Sequence, residues 1–105
     1  MSILTIVAIL LIITAILHLF MLQQFGSNNI TNGVAIAGIV YGILAILMLT
    51  TSFGWPPIVT LILITIGAIG AYIQIDALPE MRTWTWLFIA IDVGIVALLL
   101  AYFLG

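Results

Sequence analysis

The sequence predicts an all-α membrane protein, a four-transmembrane-helix bundle running up, down, up and down. Three observations lead there. Of the 105 residues, 67% are hydrophobic and only 4% charged, so the chain cannot build a water-facing surface and lipid must cover most of it. The apolar residues fall into four runs, each close to the roughly 20 residues that cross a hydrocarbon core about 30 Å thick. No run alternates with period two, which a membrane barrel requires, and lipid forbids unpaired backbone, so helices remain.

The first run is Ile3–Leu22. It lacks a basic leading segment and a small-residue cleavage pattern, so it reads as a retained helix rather than a signal peptide. The polar stretch Gln23–Asn32, with Gly26, Ser27, Asn28 and Asn29, closes it. The second run, Gly33–Leu49, is the shortest and can draw on Thr50 and Thr51 for length. Thr51–Pro56 follows, broken by Gly54 and Pro56.

The third run is Pro57–Ile75, with Pro57 suited to a first helical turn, where a missing N–H costs nothing. Asp76–Thr83 then gathers Asp76, Glu80 and Arg82, which read as a solvated interfacial turn. Pro79 and Glu80 suit the start of the next helix, Glu80 near the positive end of its dipole. The fourth run is Trp84–Leu104.

Links this short join antiparallel neighbours. Both termini are therefore expected on one face, side A, and the first and third connections on the other, side B. Trp84 and Trp86 would then form a side-B interfacial belt, and Trp55 a side-A one. Arg82 is the lone basic side chain, and through the positive-inside rule it points to side B as cytoplasmic.

The whole chain, 1–105, is expected to form one domain. A shift of 52 residues aligns Ile6-Val7 with Ile58-Val59, Leu11-Ile12 with Leu63-Ile64, and Gly42-Ile43 with Gly94-Ile95. Two readings stay open: repeated helical hairpins over 1–52 and 53–104, or the general likeness of apolar hairpins.

Several function classes drop out. One Arg and no Lys cannot neutralise a phosphate backbone, so nucleic acid is not an expected partner. Without Cys there are no disulfides or thiolate sites, and one His at helical spacing from no second ligand makes no metal site. Nucleophile motifs and cofactor fingerprints are also absent, so no cofactor is expected and the chain reads as non-enzymatic, at most a subunit of a membrane enzyme complex. The Asn29-Ile30-Thr31 acceptor pattern reads as chance in a short loop. The size and helix number are similar to those of small multidrug transporters and fluoride channels. The Glu within helix one of the former and the polar pore pattern of the latter are missing, so no family is assigned.

Asp92 is the sharpest feature. It lies roughly 12 Å below the side-B end of the fourth run, where a carboxylate costs on the order of 2.5–3.5 kcal/mol. Protonation lowers that cost. Tyr41 and Thr14 fall at nearly the same depth, and His18 lies one turn nearer side B on the face of Thr14. These four residues form the expected intramembrane polar site. Two roles compete: a neutral Asp92 bonded to a neighbouring helix and fixing its register, or a proton or cation site. For His18 the packing role is the commoner one.

Small residues form stripes that permit close helix approach: Gly38, Gly42 and Ala45; Gly67, Gly70 and Ala71; Ala90, Gly94, Ala97 and Ala101. On helix four the stripe and Asp92 point in nearly opposite directions, and both favour protein over lipid. One of the two faces is therefore expected to meet a second chain. The leading expectation is a non-enzymatic subunit of a homo-oligomer or larger membrane complex. The alternative is a minimal oligomeric proton or cation transporter or channel that uses Asp92.

Overall fold

The computed structural model describes residues 2–26, 29–51, 54–73 and 82–105. The expectations for Asp76, Pro79 and Glu80 fall outside the described residues. Four helices make up the fold: α1 (Ile3–Phe25), α2 (Asn29–Thr50), α3 (Trp55–Ile73) and α4 (Arg82–Leu104). Each is long and apolar enough to cross a membrane. The protein is a small multi-pass membrane protein.

All four helices start or stop beyond the apolar runs, α4 by beginning at Arg82, because the runs mark hydrocarbon and the helices mark hydrogen bonding. α1 continues through Gln23 and Gln24 until Gly26 takes a φ of 76°, and its N–H returns to the Leu22 carbonyl at 3.0 Å. A positive φ is cheap only for glycine, so the sequence ends the helix there. At the other end Ser2 caps α1, its hydroxyl accepting from the Thr5 N–H at 3.2 Å. α2 begins at Asn29 rather than Gly33, a full turn into the polar stretch. α3 begins at Trp55, which places Pro56 and Pro57 together in its first turn, both buried.

The start of α1, the end of α2, the start of α3 and the end of α4 line one shallow cavity of about 350 Å³, through Thr5, Thr51, Gly54 and Tyr102 among others. Successive helices therefore run antiparallel, and this is the side-A end. Each helix packs on its chain neighbour, and α1 also packs on α4, which closes the bundle. The α1–α2 contact is the most extensive and α2–α3 the thinnest.

Inside, two apolar zones stack along the bundle. Val7, Leu11, Leu44, Ile64, Ile95 and Leu99 fill the side-A half. Met21 and Phe88, with Leu17, Val34 and Trp84 against them, fill the side-B end. On α4 the buried positions are Phe88, Asp92, Ile95 and Leu99, the alternating spacing of one helical face. Outside, Ile16, Ile36, Ile46, Ile66 and Val93 are each more than half exposed. Only 22 to 33% of each span is buried, so the apolar outer surface is lipid-facing.

Candidate functional site: a polar layer inside the bundle

Between the two apolar zones lies a layer of polar side chains. Thr14, His18, Tyr41 and Asp92 are all buried, from 0% exposure at Thr14 to 7% at His18. α1 contributes the first two, α2 the third and α4 the fourth. Asp92 points into the bundle at 3% exposure, and lipid does not reach it.

His18 is held on every side. Its Nδ1 donates to the Thr14 carbonyl one turn back, with the Thr14 hydroxyl oxygen 3.2 Å from the same nitrogen. A carbonyl can only accept, so Nδ1 carries a proton, and when the ring is neutral its lone pair is on Nε2. The ring stacks on Phe88 with centroids 4.2 Å apart and planes 20° apart, and meets Tyr41 edge-on at 5.4 Å. Beneath it α2 must come close. A Cβ placed on Gly38 would lie 2.7 Å from the His18 Cβ and 3.0 Å from the Ala15 carbonyl oxygen. Gly38 therefore seats the histidine, and the absence of a side chain there is a structural requirement.

Tyr41 crosses the layer in the other direction. Its hydroxyl occupies the space above Gly67 on α3, where an added Cβ would approach to 2.6 Å. The Asp92 Oδ1 has no hydrogen-bond partner among the described residues, although it is fully enclosed. The protein partners to expect for Asp92 are Tyr41, His18 or a residue of another chain; neither Tyr41 nor His18 bonds to its Oδ1, which leaves the third open. The physical reason is that both candidate donors are aimed elsewhere, His18 Nδ1 at its own helix and Tyr41 at the gap over Gly67.

The other expected packing residues divide. Gly38 and Ala45 are buried, and Gly42 stands 3.8 Å from Ala15 by the position of an added Cβ. Gly67, Gly70 and Ala71 are half-buried. Gly70 and Gly94 have open space where a Cβ would stand, so neither marks a close helix approach. Smallness is legible in sequence, but what a glycine faces is not. Ala90, Ala97 and Ala101 lie exposed on the outer face of α4, opposite the buried Asp92.

Of the interfacial residues, Trp55 and Trp86 are about half exposed, and Arg82 is exposed at the start of α4. Trp84 instead turns partly inward, 5.8 Å from Phe20 and 6.4 Å from Phe88 by ring centroids. Two features of the site escaped the sequence reading: Phe88 as the face on which His18 stacks, and Gly67 as the seat of the Tyr41 hydroxyl. A depth count would have found both, since Phe88 lies one turn from Asp92 and Gly67 is level with Tyr41 from side B. The chain matches no protein-family model, no curated protein and no solved structure.

Proposed function

We propose that this chain is a minimal proton- or cation-handling membrane protein, with Asp92 as its working group and Tyr41, His18 and Thr14 as its surroundings. One observation carries the reading: a carboxyl oxygen, Asp92 Oδ1, enclosed in the bundle without a hydrogen-bond partner among the described residues. A scaffold role for Asp92 depends on a bond to a neighbouring helix, and among the described residues its Oδ1 makes none. An unsatisfied buried acceptor costs stability, and a group that costs stability without bonding is better accounted for by work than by architecture. The layer is also pre-shaped, since His18 and Tyr41 are held by packing and not by Asp92.

The reading is non-enzymatic. It places both termini on side A and, through Arg82, side B towards the cytoplasm. Four short helices leave little room for a complete pathway inside one chain, so it includes an oligomer. The test is flux into liposomes containing the purified protein. Asp92→Asn is expected to abolish proton or monovalent cation movement. Unchanged flux in that variant removes Asp92 from the role.

A second reading is favoured by a different observation. The outer face of α4 exposes Ala90, Ala97 and Ala101, a surface shallow enough for another helix to approach. On that reading the chain is a structural subunit of an oligomer or larger complex. Ala97→Trp should then disrupt the assembly seen after mild extraction. A wild-type protein that stays monomeric and purifies alone argues against it.

A further inference from the structure

The geometry points to a proton, held on Asp92 Oδ1, as the ion this layer takes, in preference to a dehydrated metal cation. This rests on the proposal that Asp92 is the working group. It follows from counting the lone pairs that the layer has to offer.

A hard cation stripped of water needs about six oxygen ligands or more. The layer cannot assemble them. It contains one carboxyl, that of Asp92. The Thr14 carbonyl already accepts from His18 Nδ1, and the Thr14 hydroxyl oxygen lies against the same nitrogen. The Tyr41 hydroxyl is directed over Gly67. Imidazole nitrogen is a poor ligand for hard cations. Groups of three or more His, Asp or Glu side chains are absent among the described residues.

Backbone cannot make up the shortfall. Membrane sites for sodium commonly recruit carbonyls from helices that unwind at mid-membrane. Here α1, α2, α3 and α4 all pass the layer as continuous helices. The one positive φ among the described residues is at Gly26, outside the layer. The carbonyls at this depth therefore stay in the helical ladder, and no unwound turn directs several of them at one point.

A proton asks for far less, a single lone pair in an enclosed place. Asp92 Oδ1 supplies one, and the carboxylate becomes a neutral carboxylic acid as the O–H bond forms. His18 Nε2 is a second acceptor in the same stack. The other titratable groups in the layer are His18 from α1 and Tyr41 from α2. α3 brings Gly67 and no titratable side chain to this level, and Phe88 is the neighbour on α4.

The experiment is infrared difference spectroscopy of the full-length protein in liposomes across a pH titration, beside the flux assay. The probes are sodium, potassium and magnesium chloride, each against choline chloride. The chain holds two aspartates, Asp76 and Asp92, so carboxyl-labelled aspartate in an Asp76→Asn background marks the Asp92 band without altering the site. The expected result is a protonated-carboxyl band that appears on acidification, shifts with the label, is lost in Asp92→Asn, and has a midpoint that none of the metal salts moves. A midpoint driven to lower pH by one of those cations overturns the proton assignment and leaves Asp92 as a working group. A band that survives Asp92→Asn and ignores the label overturns both. A labelled band of the expected behaviour with no flux sustains proton binding and defeats the transport reading.

Discussion

Thr60 and Asp92 are both polar, both buried and both inside apolar spans, yet the bundle treats them in opposite ways. Thr60, in the side-A half, donates to the Pro56 carbonyl of its own helix at 2.7 Å. Thr50, Thr51 and Thr65 do the same one turn back along their helices. A hydroxyl can bond locally, so the side-A core around it is otherwise aliphatic, with Val7, Ala8, Leu11, Leu44, Ala45, Ile64, Ile95 and Leu99. A carboxylate in a helix has no such local solution, because the carbonyl one turn back is also an acceptor. Asp92 Oδ1 must find a donor on another helix, and among the described residues it finds none. The difference teaches that buried polarity in this protein is structural in one half and unresolved in the other, and the unresolved half is where function is expected.

The largest expected effect tests the seat beneath the polar layer. Gly38→Leu drives side-chain atoms into the Ala15 backbone and His18, which cannot both retreat, and should cost on the order of 3 kcal/mol. Unfolding in mixed micelles measures it. Wild-type stability in this variant would mean that α1 and α2 do not approach as closely as described.

Next comes the contrast itself. Asp92→Leu replaces an unsatisfied acceptor with a shape the apolar zones can accommodate. It should raise stability by about 1–3 kcal/mol while removing flux. A marked loss of stability would show that Asp92 makes a bond after all, to a second chain, and the comparison with Thr60 would break.

Gly67→Ala should act through Tyr41. The added methyl meets the far end of a rotatable side chain rather than backbone, so the cost should be near 1 kcal/mol, well below that of Gly38→Leu. The informative readout is the Asp92 carboxyl band, which should shift as the tyrosine is displaced. An unmoved band would separate Tyr41 from the site.

The smallest effect belongs to Thr60→Val, expected within about 0.6 kcal/mol of wild type, since intramembrane polar bonds are worth little on average. A larger loss would mean that the side-A half relies on polar bonding more than its self-contained threonines imply.

How much of this was readable beforehand follows from how local each feature is. The spans came from hydropathy and length, and antiparallel order from connections such as Thr51–Pro56, too short to cross the bundle. The depth of Asp92, Tyr41 and Thr14 needed only residue counting at a fixed rise. Ser2 as a cap and Gly26 as a stop depend on backbone angles at single residues, which composition barely signals. The helix ends beyond Leu22 and before Gly33 were missed because lipid solvates side chains but does not end hydrogen bonding.

The sequence by itself determined that the chain is a membrane bundle and that one acidic residue lies deep within it, because lipid imposes on each segment a condition that segment must meet alone. Only the tertiary structure decided which way α4 is turned, with Asp92 inward and Ala90, Ala97 and Ala101 outward. Only it decided that Gly38 and Gly67 are seats for His18 and Tyr41 while Gly70 and Gly94 face open space. Those outcomes depend on the rotation of one helix against another, and in a chain apolar on nearly every face that rotation is set by the fit of whole surfaces, which no single segment contains.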